Sequence, residues 1–513
     1  MRAHDLNHGH AYCVDFMDDK IYILNPDYHF KNDVDRVAMF SKRQVDYDSS
    51  AEWLGFVHPT QAMLLGTFTT GEPFEKHCAE LAEHFGTTLE KVQQMLRPYL
   101  ANPEPIYTEA GNQKVYFPKN VLIPIETLGG KTPQYDFTLE DFRCGHVDLT
   151  PDRTHKAPHS LLFMVTNKCV TNCAYCYADR HTRYTSMTTE QILHLIDEAH
   201  RLKMSYIDVI GGELFCLRDW DVILKRLVDY DLTPSYISTK VPVTEEIARR
   251  LLDTGYKGVV QLSLDSLDEA TLKKIIRCGD GYIERIKQGA ELLQAHGFRI
   301  EIDTILTKYN CDHGQLDDLY HYIKDISNLR YWEVRVPEMS LYNRETFSAV
   351  KASRQQLEEA TRYVREEIMP QAKFTIYVSD EALTEPFLQG DSKALNFRGG
   401  SCGILQNRMF VLPDGKATLC EQLYWHPDFI IGDLTQQTFE EVWNSEKAKK
   451  IFNAEHALRR KESPCTACKI YDFCKEHRRK CVVKVMKAYG MENWDFPDPR
   501  CQYAPDFATD LRY

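Results

Sequence analysis

Thr166-Asn167-Lys168-Cys169-Val170-Thr171-Asn172-Cys173-Ala174-Tyr175-Cys176-Tyr177 carries three cysteines at C-x3-C-x2-C spacing. The stretch directly follows the apolar run Ser160–Val165, which reads as a strand. Thiolates are the usual protein ligands of iron–sulfur clusters, and a loop this tight aims three of them at one cube. Three ligands on a four-iron cube leave one iron open to something other than protein. A structural zinc closes its shell with four ligands, so a trio with no nearby fourth fits zinc less well. Three ordinary thiols on a loop are the bland alternative, and one spacing match does not remove it.

The chain has 513 residues, so two to four domains are expected. Hydrophobic residues make up 43%, enough for a sizeable core. A formal net charge of −13 argues against a nucleic-acid partner. No apolar run reaches the length of a membrane span, and the start MRAHDLNHGHAYCVDF is not a signal peptide. The expectation is a cytoplasmic protein with no membrane partner. Its 16 cysteines then point to metal or redox chemistry rather than a disulfide scaffold. Cys13, Cys78, Cys144, Cys216, Cys278 and Cys311 read as plain thiols.

Taken in order, residues 20–41 alternate apolar and polar with a turn at Asn25-Pro26-Asp27, the pattern of a small antiparallel sheet. Three helical patterns follow: one opening at His58-Pro59, one over Pro73–Phe85 stopped by Gly86, and one capped by Thr88. Gly111-Asn112 turns a hairpin over Ile106–Phe117. Residues 15–125 are therefore expected to form a winged-helix-like α+β domain. Its third helix carries only Lys91 and Arg97, a poor surface for phosphates. Residues 126–157 read as a polar linker. From 158 to 340 strand and helix alternate, giving six βα units of a parallel, partly open barrel. Sites in such barrels gather at the C-terminal strand ends, where Cys169 falls. Residues 341–400 form a bridging region with a strand-like FTIYV.

The cysteine loop, including Tyr175 before the last cysteine, resembles the signature of the radical S-adenosylmethionine (SAM) enzymes. In that family the open iron is chelated by SAM, and one electron from the cluster releases a 5′-deoxyadenosyl radical. The resemblance implies that Cys169, Cys173 and Cys176 carry the catalytic cluster. It also implies that Gly211 and Gly212 admit close backbone approach and that Glu213 pairs with the SAM amino group. Leu214 stands where the family usually has proline. Ser238 and Thr239 would meet the ribose, Ser263 and Arg277 the SAM carboxylate, and Leu306 the adenine. Asp265 reads equally as a cap for the helix near Asp268.

Residues 401–513 hold Cys402, Cys420, Cys465, Cys468, Cys474, Cys481 and Cys501. Their pattern resembles the SPASM extension of peptide-modifying radical SAM enzymes, which carries two auxiliary [4Fe–4S] clusters, making three in all. The spacing of six before Cys481 exceeds the family's usual three. By resemblance Cys402, Cys420 and Cys481 serve an inner cluster, and Cys465, Cys468, Cys474 and Cys501 an outer one. A four-cysteine zinc site from Cys465 to Cys481 is the alternative, but it leaves Cys402, Cys420 and Cys501 unexplained. Between Lys447 and Lys487 basic residues outnumber acids thirteen to four, which reads first as a solvated face.

The N-terminal pattern is similar to the peptide-recognition domain of ribosomal-peptide maturases related to the small pyrroloquinoline-quinone chaperone (PqqD-like). There a leader peptide adds as a strand to the sheet edge; a structural cap is the alternative. The whole is thus expected to be a radical SAM/SPASM maturase of a ribosomal precursor peptide, reduced by a carrier such as flavodoxin or ferredoxin. A thioether cross-link ranks first, because three inner thiolates leave an iron for a substrate sulfur. Carbon–carbon or carbon–oxygen cross-linking comes next, then epimerisation or sulfatase-maturase-like protein modification. A cluster-bearing peptide chaperone is the non-enzyme alternative.

Overall fold

The computed structural model describes residues 20–42, 53–111, 113–384, 403, 405–455, 458–477, 480–509, 511 and 513. The chain divides into two compact units that meet in sequence between His155 and Lys156.

In the first unit, strands Tyr28–Asn32, Val37–Ser41 and Leu54–Val57 pair antiparallel in that order. Helices Pro59–Gly66, Phe74–Phe85 and Leu89–Leu96 follow. The first opens on a capping box in which the His58 ring accepts from Thr60 N and Gln61 returns to His58 N. The second stops at Gly86, whose φ of +59° is the left-handed conformation glycine adopts cheaply. Strands Ile106–Ala110 and Gln113–Phe117 form the wing, and Tyr22–Leu24 pairs with Leu122–Pro124 to close the unit. Phe30, Met39, Leu65, Phe68 and Phe117 are buried together.

Residues 126–155, read above as part of a linker, lie on this unit. Phe142 is fully buried, its ring 5.4 Å from that of Phe30. Tyr135 donates its hydroxyl to Leu24 O. Arg36, also fully buried, pairs with Asp33 at 2.9 Å and donates to Thr150 O and Arg153 O. Apolar anchors spread thinly among polar residues hide such docking from a periodicity reading.

The second unit contains parallel strands Ser160–Thr166, Ile207–Gly211, Tyr236–Thr239, Val259–Ser263, Arg299–Ile305 and Leu329–Arg335, alternating with helices. The first two pair with each other, as do successive members of the last four. The result is a partial barrel of mixed α/β construction. The sheet does not stop at the sixth strand. Thr375–Ser379, placed in the bridging region by sequence, pairs parallel with Leu329–Arg335. Arg408–Val411 pairs parallel with Ser160–Thr166 on the other side and turns back through Gly415 into Lys416–Thr418. The C-terminal hairpin thus extends the barrel sheet beside the strand that leads into the cysteine loop. Among the described residues no helix is long and apolar enough to cross a membrane.

Candidate active site

Strand register decides which side chains face the barrel lumen. Ser238, Gln261, Glu301 and Tyr331 stand in one row, and Ser263, Asp303 and Glu333 in the next. The alternate residues Leu262, Ile302 and Trp332 turn outward into the apolar core against the helices. The lumen is accordingly polar. Arg335 pairs with Asp303 at 2.9 Å and Glu333 at 2.7 Å. Burial pushes the Asp303 carboxyl up to about 6, with Arg335 opposing it. Glu421, from the C-terminal segment, has its carboxyl raised by burial, and Arg335 opposes that shift too. Glu421 also bears on Tyr177, the residue that follows Cys176.

The cysteine loop sits at the C-terminal end of the first barrel strand. Its backbone is tied to the end of helix Glu269–Ile275: Asn172 N donates to Ile276 O at 3.0 Å, and Ala174 N to Ile275 O at 2.8 Å. The Thr171 hydroxyl lies 3.4 Å from Cys169 Sγ and 3.3 Å from Cys173 Sγ, so one side chain touches both sulfurs. Cys176 N donates to Cys173 O at 3.1 Å. Burial pushes the Cys173 thiol up to about 12, against Lys240 and Thr171, and raises Cys176 as well. None of the three loop cysteines is in a disulfide, and thiols such as Cys173 and Cys176 that burial holds protonated need a cation to become thiolates. The donor set therefore fits an iron–sulfur cluster with one open iron.

Gly211 and Gly212 meet this loop rather than open space. Gly211 has φ +119°, and a Cβ there would lie 2.5 Å from Thr166 O. A Cβ on Gly212 would lie 1.9 Å from Lys168 O, a backbone atom that cannot move aside. Gly212 N donates to Thr166 O at 2.8 Å and Glu213 N to Lys168 O at 2.7 Å. The glycine pair thus lets two strand ends interlock.

Glu213 is 4% exposed, and burial raises its carboxyl. It accepts from the Thr239 hydroxyl and Lys240 N, both at 2.8 Å, and lies 3.7 Å from Cys169 Sγ. Thr239 is therefore engaged by Glu213, while Ser238 stands exposed in its lumen row. Ser263 shares its row with Asp303. Arg277 is exposed, with φ +55°, immediately after the carbonyls that anchor the cysteine loop. Leu306 has no exposed surface and belongs to the main core.

A network absent from the sequence reading lies behind Cys173. The Tyr175 hydroxyl donates to Asp265 Oδ2 at 2.5 Å, and Lys240 Nζ stands 3.4 Å from the same oxygen. Asp265 Oδ1 accepts from Ile305 N at 2.9 Å. Burial alone would lower the Lys240 ammonium, but Asp265, Cys173, Tyr282 and Asp303 together outweigh it and the shift is upward. Helix capping falls to Asp268, which accepts from Ala270 N and Thr271 N, leaving Asp265 to the site. The only sequence signal for Lys240 was its place directly after the strand end Ser238-Thr239.

In the C-terminal segment Cys465, Cys468, Cys474 and Cys501 line one cavity of about 190 Å³. They are free thiols in mainly apolar walls, a donor set that fits a four-thiolate cluster. Cys420 lies just past Lys416–Thr418, and Cys481 caps helix Val482–Tyr489, its N–H bonded to Asp498 at 3.0 Å. Cys402 lies outside the described residues. Cys78, Cys278 and Cys311 are buried thiols.

Residues 163–322 match the model of the Radical SAM superfamily, and residues 402–469 that of an iron–sulfur cluster-binding domain, SPASM. The PqqA peptide cyclase of Granulibacter bethesdensis is 22% identical over 364 residues, 69% of this chain and 89% of that protein. The mycofactocin maturase MftC of Mycobacterium tuberculosis is 26% identical over 365 residues, 68% and 84% respectively. Streptococcus suis SuiB bound to S-adenosylmethionine superposes with a TM-score of 0.60 at 15% identity, covering 94% of this chain and all of that one. SuiB bound to its precursor peptide SuiA gives 0.58 at 14%, with the same coverage. The chain thus carries a radical SAM domain and a SPASM domain on the fold seen in SuiB. It is an enzyme of the radical SAM type, served by SAM and iron–sulfur clusters.

Proposed function

We propose that this enzyme matures a ribosomally made precursor peptide by installing a cross-link. The observation that carries the reading is the joining of three cysteines, Glu213 and the Lys240–Asp265–Tyr175 network at one end of a polar lumen. When bound there, SAM and its cluster supply a 5′-deoxyadenosyl radical for hydrogen abstraction. Cys169, Cys173 and Cys176 hold the cluster. Thr171 and Lys240 set the charge around its sulfurs. Arg277 and Ser263 take the SAM carboxylate and Glu213 its amino group; Ser238 is left for the ribose. Glu421, Asp303 and Arg335 line the lumen that a core residue enters, and the barrel walls exclude water from it.

The relatives' names support a peptide as substrate, for they include a peptide cyclase, a maturase and a protein seen with its precursor peptide. In this reading the first unit holds the leader, through strand addition to an outer strand of its sheet. The C-terminal cysteines hold two further clusters, giving three, and a flavodoxin- or ferredoxin-like carrier delivers electrons.

The cross-link is a thioether first, because the resemblance to SPASM proteins gives the inner cluster three cysteines, Cys402, Cys420 and Cys481, and leaves one iron for a substrate sulfur. Alkylation of the precursor's cysteines before and after reaction tests this. The product is expected to lose one alkylatable thiol per turnover. A product with every thiol still free promotes the carbon–carbon reading instead.

A further inference from the structure

Lys480 and Arg459 share the walls of the cavity with Cys465, Cys468, Cys474 and Cys501. Lys480 Nζ donates to two carbonyls, Trp494 O at 2.9 Å and Phe496 O at 3.0 Å, and lies 5.9 Å from the centre of the Trp494 ring. Arg459 donates to the Tyr471 hydroxyl at 2.6 Å and to Asp495 O at 2.8 Å. Two nearby carboxylates are already paired, Asp495 with Arg460 at 2.7 Å and Asp498 with Arg500 at 2.7 Å, and Glu455 also lines the wall. Among the described residues neither Lys480 nor Arg459 has a carboxylate within ion-pairing distance. Lys480 and Arg459 therefore line a mainly apolar wall with neutral oxygens as their hydrogen-bond partners, and burial, then Arg459, pushes the Lys480 ammonium down against Cys465, Asp495 and Asp498. Enclosing a cation this way is costly unless the cavity itself holds negative charge.

Four thiolates around a four-iron cluster provide that charge, and one-electron reduction increases it by one. We propose that Lys480, assisted by Arg459, is the built-in counter-charge of the four-cysteine site and sets the reduction potential of the cluster held there. A fixed positive charge favours the more negative, reduced state, so it raises the potential. Reduction adds one electron, with no bond made or broken. The fixed charge makes this site a better electron acceptor than an otherwise equal site without it. Lys480 directly precedes Cys481, so the same short segment carries the counter-charge of one site and a cysteine assigned to the other. The inference rests on the proposed assignment of the four cysteines to one cluster.

The test uses the full chain carrying Cys169→Ala, Cys173→Ala and Cys176→Ala, so that only the auxiliary sites give a signal. After anaerobic reconstitution, iron per chain is counted and the reduced signals are followed by EPR in a potentiometric titration. Loss of one signal on adding Cys468→Ala identifies the four-cysteine cluster. Lys480→Met is expected to shift that signal's midpoint by at least about 59 mV to more negative potential, a tenfold change in a one-electron equilibrium. Lys480→Arg is expected to stay with the parent, since it keeps the charge. Equal midpoints for Lys480→Met and parent at equal iron content overturn the proposal, as does a Lys480→Arg shift as large as that of Lys480→Met. Should Lys480→Met fail to load iron, Arg459→Leu is measured instead, with a negative shift expected and an unchanged midpoint overturning the idea. A parent protein that binds no iron at these cysteines fails the cluster assignment itself, and the iron count separates that result from the others.

Discussion

Cys173→Ala, reconstituted anaerobically and given dithionite and SAM, is expected to release 5′-deoxyadenosine at least about a hundredfold more slowly than the parent. Loss of a partner behind a metal ligand typically costs 10–100-fold, and loss of the ligand itself costs no less. The position matters more than the count of sulfurs. Cys173 is the thiol that Thr171 contacts at 3.3 Å and that the Lys240 charge favours as a thiolate. The four C-terminal cysteines line a cavity whose walls include no residue of this loop, so the variant is expected to keep their iron. Quantifying the nucleoside by chromatography together with iron per chain checks both parts. Release at the parent's rate from the variant lacking all three loop cysteines would refute this assignment.

Deletion of residues 1–155 is expected to weaken precursor binding by about a hundredfold, about 3 kcal/mol, while uncoupled SAM cleavage persists. The cut belongs at 155 and not near 120, where the helix and hairpin pattern ends. Phe142 fills the core of the first unit, and Arg36 is held by carbonyls of Thr150 and Arg153. A cut near 120 would leave those residues as an apolar tail on the barrel. The second unit has its own core, built on strands from Ser160 onward, and all the proposed SAM contacts lie within it. Isothermal titration of the full and shortened chains with the precursor decides the matter. Equal affinities would reduce the first unit to a structural cap, and tight binding of duplex DNA by that unit would assign it to nucleic acid instead of the leader.

Much of the site was legible because its residues cluster in sequence. Three cysteines within eight positions, and Gly211-Gly212-Glu213 at the end of the next strand, carry their chemistry in their spacing. Partnerships between distant segments were not legible. The hydrogen bond from the Thr239 hydroxyl to Glu213 is one of these, made because strand ends bring residues 26 apart side by side. Lys240, buried beside Asp265, and Lys480, in the wall of the four-cysteine cavity, are single lysines whose meaning depends on neighbours distant in sequence. Thr375–Ser379 was visible as a strand but not as a member of the barrel sheet, since pairing depends on the path of the intervening helices. The docking of 126–155 escaped notice for a related reason: Tyr135, Phe137 and Phe142 are too few to set a period.

The most direct test is mass spectrometry of a candidate precursor peptide, sought among short reading frames next to this gene. It is incubated anaerobically with the reconstituted full-length enzyme, SAM and dithionite. The account predicts a peptide lighter by two hydrogens, formed in step with 5′-deoxyadenosine and absent with the Cys173→Ala variant. An unchanged peptide mass, with the nucleoside released equally whether or not the peptide is present, would contradict it.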